Sequence, residues 1–429
     1  MIQELSFKNF FSFKDEVKFS FEASNDTFAE ESQVVTINEN TRLLRFAVVY
    51  GYNASGKSNL LLAFSFLRNF WTQRPIDSDS GTKVVPFKLN KINPKEHSFF
   101  DIVFYVGTTK YSYHLELDAT QVYREKLLYY KTIQPIMLFD RVLLNGESKI
   151  QFGPTLKVGS VIKERIEAEC LKNTSVFVAR NQVNASIPLI DDVNNWLKTK
   201  IMESINFETR LTDYAQNKSV DNPELKERLL IFLSSADFNI SKIKSEYKKK
   251  ALSDFEIYTL LTQKKNIPFE ARNKIIHERI GDVPHTNFMH SVENDGMIEE
   301  YALDLGEEST GTLRTFGIET ALYEANKSGS FLTVDEIETS LHSKLLEDLI
   351  YDFLKEQSES QIIITTHNDS LLDLADDLIR KDSIWFVEKQ KNGSSNLYKL
   401  VDFTGVNRLS SIRSAYRNKR FGATQFSVK

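Results

Sequence analysis

Residues 46–59, Phe-Ala-Val-Val-Tyr-Gly51-Tyr-Asn53-Ala54-Ser55-Gly56-Lys57-Ser58-Asn59, constrain this 429-residue chain more than any other stretch. Residues 51–58 fit G-x-x-x-x-G-K-[ST] at every fixed position; the apolar run 47–50 ahead of them reads as a buried strand, and Leu-Leu-Leu-Ala-Phe-Ser-Phe-Leu at 60–67 reads as a buried helix. Strand, glycine-bounded loop and helix in this order make a phosphate cradle. Gly51 and Gly56 let the backbone turn so that the N–H groups between them, those of Asn53, Ala54 and Ser55 included, converge on an anion. The helix opening near Lys57 presents its positive end to the same anion. Lys57 would reach the β- and γ-phosphates, and the Ser58 hydroxyl would ligate Mg²⁺.

The rest of the composition narrows the setting without naming a chemistry. A content of 41% hydrophobic and 26% charged residues suits an ordinary globular chain, and the length allows two or three domain-sized pieces. The net charge of −5 gives no global sign of a nucleic-acid partner, so any such contact would use a local basic patch. A single cysteine, Cys170, excludes an intramolecular disulfide framework and a cysteine-based metal cluster and suits a reducing compartment. No run approaches the roughly 20 apolar residues that span a bilayer, and the first residues lack a secretory pattern, so a cytoplasmic protein without membrane partners is expected.

Taken in order, residues 2–22 alternate apolar and polar about Lys14-Asp15-Glu16 and predict a hairpin that joins the sheet carrying the phosphate loop. Phe7, Phe10, Phe11 and Phe13 are expected in the core. Runs at 84–89, 99–106, 110–117, 122–130, 137–144 and 149–152 predict an antiparallel meander. From about 161 to 284 the apolar spacing turns helical, with five lysines against one glutamate at 242–250. Residues 288–305 are again strand-like, and 384–387 with 396–400 predict a hairpin. The expected organisation is therefore an N-terminal lobe at 1–160, an inserted helical subdomain at 161–284 and a C-terminal lobe at 285–429.

The C-terminal lobe carries a second group of motifs. Phe331-Leu-Thr-Val-Asp335-Glu336 reads as a buried strand ending in two acids, where Asp335 can hold Mg²⁺ and Glu336 can act on an attacking water. Gln361-Ile-Ile-Ile-Thr-Thr-His367 is another apolar strand, placing His367 at the carboxyl edge where open α/β sheets bind ligands. Ahead of both, Ser309-Thr-Gly311-Thr312 precedes a helix and offers hydroxyl and N–H groups to an anion, although the same residues serve equally as a helix cap.

In this order the motifs resemble the ABC-type ATPases of the RecF and structural-maintenance-of-chromosomes kind, and within them the stand-alone AAA-family ATPases of abortive-infection and phage-defence systems, of the AriA, AbiL and OLD type. The resemblance rests on the phosphate loop, on Ser309-Thr-Gly311-Thr312 as signature, on Asp335-Glu336-Ile-Glu-Thr-Ser-Leu-His342 as Walker B and D-loop, on His367 as switch histidine, and on Arg417-Asn-Lys-Arg-Phe-Gly-Ala423 as closing motif. It covers residues 1–90 and about 285–420. Ser309-Thr-Gly-Thr departs from the transporter L-S-G-G-Q, and no glutamine of a Q-loop stands near Pro86-Phe87.

The resemblance implies an α/β fold, an ABC-type P-loop ATPase head with an antiparallel β subdomain and an inserted helical subdomain. It implies ATP and Mg²⁺ as ligands and head-to-tail homodimers, or higher homo-oligomers, in which each ATP lies between the phosphate loop of one copy and Ser309, Gly311 and Thr312 of another. Glu336 and His367 would be catalytic; Gly51, Asn53–Ser55, Gly56, Lys57, Ser58 and Asn59 would bind nucleotide; Ser58 and Asp335 would hold the metal. The function implied is an ATPase switch of antiviral defence that controls a separate nuclease or toxin. The alternative is a RecF- or SMC-like DNA-binding ATPase of repair or recombination, with the lysines at 242–250 and Arg408, Arg413, Arg417, Lys419 and Arg420 on DNA phosphates.

Overall fold

The computed structural model describes residues 1–235, 239–263 and 272–423, which form two compact units: Met1–Glu208 with Glu324–Lys429, and Thr209–Tyr323. The first unit is built on two sheets of opposite character. Its inner sheet has the order β14–β15–β5–β16–β17, from Phe331–Val334, Gln361–Thr366, Phe46–Tyr50, Ile384–Lys389 and Ser395–Lys399. The first four strands run parallel and β17 closes the edge antiparallel to β16. Every residue of β5, β14 and β15 is buried, as expected of parallel strands covered on both faces.

The outer sheet is antiparallel, in the order β10–β9–β8–β7–β6–β1–β2, from Glu147–Phe152, Pro135–Leu144, Val122–Tyr130, Thr109–Leu117, Ser98–Val106, Ile2–Lys8 and Val17–Ser20. A two-stranded ladder of β3 (Val34–Asn38) and β4 (Thr41–Leu44) stands beside them. The N-terminal hairpin thus forms as expected but joins the meander through β1 and β6, not the sheet that carries the phosphate loop. Residues 84–89 are not a strand; Phe11 N–H donates to Val85 O at 2.8 Å and Phe87 N–H to Asn9 Oδ1 at 3.0 Å.

The helix Lys57–Thr72 belongs to the same apolar core as the two sheets. Its Leu60, Phe64, Leu67 and Trp71 join Phe7, Phe19 and Phe100 of the outer sheet and Ala47 and Val49 of β5. Phe64 lies 5.9 Å from Phe19 and 4.9 Å from Phe331, and Phe19 packs 4.8 Å from Trp385. Each fully buried phenylalanine here contributes about 2–3 kcal/mol of transfer free energy, so the loop preceding the helix is mounted on a well-packed core. Phe7, Phe10 and Phe13 are buried, with Phe11 packed against them, as the alternation predicts.

The helices at 160–200 do not belong to an inserted subdomain. Phe177 packs on Tyr113 and Phe139, and Trp196 stacks 4.9 Å from Phe104. The one-sided apolar meander needs a cover, and these helices supply it. Glu125 and Arg141, both fully buried, staple the cover on: Glu125 accepts from Ser175 Oγ, Val176 N–H and Tyr113 Oη, while Arg141 donates to the carbonyls of Thr174 and Leu171. Cys170 is buried in the same core, where burial pushes its thiol up.

In the second unit, helices Leu211–Val220 and Pro223–Ser235 pack with a three-stranded antiparallel sheet, β11–β12–β13, from Ile240–Ala251, Ile280–Asn294 and Met297–Asp304. Its core joins Ala215, Leu225, Leu229, Leu233, Ile240, Ile243, Phe288 and Phe316. Gly317 allows a close crossing, since a Cβ there would lie 2.3 Å from that of Leu211. The boundaries at 209 and 323 replace those expected at 161 and 284, and the unit is not wholly helical. The lysine run at 242–250 is an exposed strand whose main chain pairs with β12 over its whole length.

Candidate functional site

Register brings the chemical residues of the first unit together. In the parallel sheet Thr366 is level with Tyr50, so β15 and β5 end side by side, and Val334 is level with Ile364, so β14 ends two residues earlier at the same edge. Their next residues are Asp335, His367 and Gly51. Three motifs spread over more than 300 positions therefore meet at one carboxyl edge.

The loop from Gly51 to Gly56 is held open by close approach, not by flexibility. A Cβ on Gly51 would lie 2.5 Å from both Ser55 Oγ and Val387 O, and Gly56 has φ +114°, with a Cβ position 2.4 Å from Ser395 Oγ and 2.6 Å from Ser12 Oγ. Ser395 Oγ donates to the carbonyl of Ser55 and lies 2.8 Å from Ser12 Oγ, which accepts from Asn59 Nδ2 at 2.8 Å. Asn53, Ala54 and Ser58 are exposed, so their N–H and hydroxyl groups are open to an anion, whereas Ser55 is buried.

Lys57 turns back across the loop. Its Nζ donates to Gly51 O at 2.8 Å and lies 3.0 Å from His367 Nε2. The same Nζ lies 3.4 Å from His367 Nδ1, so the ammonium sits against the ring edge between the two nitrogens. Glu336 Oε1 lies 3.5 Å from His367 Nε2. Glu336 has φ +47°, and its N–H donates to Thr365 Oγ1 at 2.8 Å; the same hydroxyl donates to Asp335 Oδ1. One threonine thus orients both acids at the end of β14. His367 N–H donates to Glu338 Oε1 at 2.5 Å.

Burial brings Lys57 down from 10.5 to about 8, against the opposing pull of Asp335, Glu336 and Glu338. A lysine depressed in the fold binds fewer protons than in the unfolded chain between pH 8 and 10.5. It therefore costs stability at neutral pH, and that loss is recovered as pH rises through this window. An anion in the loop favours the ammonium, so between pH 7 and 9 nucleotide affinity is expected to fall about tenfold, with uptake of up to about one proton per nucleotide above pH 8. Calorimetry in buffers of different ionisation enthalpy checks this, and Lys57→Met should abolish the proton uptake.

Asp335, Glu336, His367 and the whole of 51–59 lie in the first unit. Ser309, Gly311 and Thr312 lie in the second, where Ser309 Oγ accepts the Thr312 N–H at 3.1 Å and lies 2.8 Å from Thr312 Oγ1. Ser309 is exposed and Thr312 buried, and the local geometry is that of a helix cap. Among the described residues no group of three or more His, Cys, Asp or Glu side chains is placed to hold a metal ion, and no helix is long and apolar enough to cross a membrane. Ser12, Tyr50, Glu338, Thr365 and Ser395 also belong to the site and escape sequence reasoning; only Thr365 has a signal, as the hydroxyl two places before His367.

A family model described as "AAA domain, putative AbiEii toxin, Type IV TA system" matches residues 46–170 and 205–373. The chain belongs to this family. The matched residues of the AAA domain include the phosphate loop, Ser309, Gly311, Thr312, Asp335, Glu336 and His367. None of the curated proteins matches the sequence. Solved structures similar to it include an SMC head domain from Thermotoga maritima, at 15% identity and a TM-score of 0.39 over 93% of this chain and 98% of that one. A second is the SmcHead bound to the C-winged helix domain of ScpA, at 12% identity and a TM-score of 0.44 over 97% and 99%.

Proposed function

We propose that this chain is an ATP-hydrolysing switch, and that a second copy completes each site. The observation that carries the reading is the convergence of Lys57, Glu336 and His367, with Asp335 behind them, at one end of the parallel sheet. The N–H groups of 51–58 and Lys57 would bind the phosphates. Glu336 would take a proton from the attacking water, and His367 would hold the γ-phosphate. The exposed hydroxyl of Ser58 and the carboxylate of Asp335 would hold a Mg²⁺, which would neutralise charge developing on the phosphates.

Ser309, Gly311 and Thr312 would reach the ATP of another copy, so that nucleotide controls assembly as well as turnover. The family description, a putative toxin of a type IV toxin–antitoxin system, supports a role linked to toxicity; in our reading the switch restrains or releases a separate effector, such as a nuclease, in cytoplasmic defence against phage. The exposed lysine strand at 242–250 favours the DNA-binding alternative, but Arg413 and Arg417 weaken it, being engaged by Asp369 and Asp373. ATP hydrolysis and solution mass of the wild-type protein test the switch: Mg²⁺-dependent turnover with an ATP-dependent gain in mass is expected. Absence of both refutes it, and binding to duplex DNA with a steep salt dependence selects the alternative.

A further inference from the structure

Glu338 is the third acid of Asp335-Glu336-Ile337-Glu338, and the phosphoryl-transfer reading leaves it without a role. Its Oε1 accepts the main-chain N–H of His367. Its Oε2 is buried and has no hydrogen-bond partner among the described residues. Glu336 at φ +47° and Ser340 at φ +64° bracket it, so the turn that carries the carboxylate is held in a conformation that side chains rarely adopt.

A buried donor lies on the adjoining strand: Tyr50 is level with Thr366, the residue before the His367 whose N–H Glu338 accepts. Tyr50, the last residue of β5, is 1% exposed, and its hydroxyl likewise has no partner among the described residues. Burial pushes this phenol well up, and of the carboxylates acting on it that of Glu338 acts most strongly, ahead of Asp369 and Asp373. Tyr50 is thus a protonated donor throughout the working range. Its ring is fixed between Phe386, at 6.1 Å, and Tyr416, at 5.9 Å, so the hydroxyl has a set direction. A buried donor and a buried acceptor left unpaired on adjoining segments are rare in native folds and call for a cause.

We propose that Tyr50 and Glu338 are positioning residues for His367: the Tyr50 hydroxyl pairs with Glu338 Oε2 as the turn at 335–342 adjusts to nucleotide, and Oε1 holds the His367 main chain. The imidazole is thereby kept over Lys57 Nζ, 3.0 Å away, where the γ-phosphate is read. This inference rests on the ATPase reading for the phosphate, but not for the pairing itself. The hydroxyl of Ser370, also buried and without a partner among the described residues, is the competing donor.

Steady-state ATP hydrolysis of five variants tests the proposal. Tyr50→Phe removes only the hydroxyl and is expected to lower kcat about 3- to 10-fold with KM within about twofold, and Glu338→Ala about 10- to 100-fold. Glu338→Gln keeps an acceptor for the His367 N–H and should recover most of that loss. Ser370→Ala should stay within about twofold of wild type, and Tyr50→Phe with Glu338→Ala should be no slower than Glu338→Ala alone. If Tyr50→Phe leaves kcat unchanged and raises Tm, the hydroxyl is merely unpaired and the proposal falls. It also falls if Ser370→Ala reproduces the Tyr50→Phe loss, or if Glu338→Gln is as slow as Glu338→Ala. Should wild type fail to hydrolyse ATP, the ATPase reading fails separately. The NMR signal of the His367 ring, assigned with His367→Gln, then decides: it must move in Tyr50→Phe and Glu338→Ala but not in Ser370→Ala, and an unmoved signal overturns the relay.

Discussion

Glu336→Gln is expected to lower kcat for ATP about 10²- to 10³-fold while leaving nucleotide binding intact, because it would remove the proposed base and keep the shape of the side chain. Nothing else at the end of β14 should move. The backbone of residue 336 is held through its own N–H on Thr365 Oγ1, and Asp335 is held by the same hydroxyl. The side chain is 45% exposed and lies 3.5 Å from His367 Nε2, which is itself partly exposed, so its replacement leaves no buried group unpaired. Loss of one negative charge beside Lys57 should, if anything, tighten ATP. The variant should therefore accumulate in the nucleotide-bound form, and light scattering should show a larger or longer-lived assembly with ATP than wild type shows. Turnover at the wild-type rate would remove Glu336 from catalysis and pass the water to another group.

Most of this site could be read without coordinates because its chemistry stands at the ends of strongly apolar strands. The runs before Gly51, Asp335 and His367 are buried at every residue, and parallel register then aligns their ends. What escaped was set by pairing across long separations. Ser12 and Ser395, 383 residues apart, meet beneath the phosphate loop, and neither has a neighbour that marks it. Likewise β1 has the alternation of any edge hairpin, and only its ladder with β6 assigns it to the meander. The helices at 160–200 were legible as helices but not in their destination, which the exposed apolar face of the meander decides. The strand at 240–251 was hidden for a different reason. Only Ile240 and Ile243 are buried among its polar residues, apart from masking by the lysines, so the period-two signal is absent and main-chain pairing with β12 supplies the order.

Gly56→Ala should weaken nucleotide binding about 10²- to 10³-fold while leaving the fold intact, since the damage is confined to the loop. At φ +114° an alanine is strained by about 1–3 kcal/mol before any contact is counted. Its Cβ would also lie 2.4 Å from Ser395 Oγ and 2.6 Å from Ser12 Oγ, and these hydroxyls are tied to Ser55 O and Asn59 Nδ2. The loop must therefore flatten or the two serines must withdraw, and either motion turns N–H groups away from the phosphate. A total of about 3–4 kcal/mol corresponds to a loss of about 10²- to 10³-fold in ATP affinity. Adding Ser395→Gly separates the two contributions. It removes the nearest obstruction but not the backbone strain, so the double variant should regain about tenfold of the lost affinity and no more. Full recovery would show that the conformation of residue 56 is immaterial and that crowding against β17 alone excludes a side chain there. No recovery would assign the whole effect to the left-handed backbone and leave Ser12 and Ser395 as bystanders of the phosphate loop.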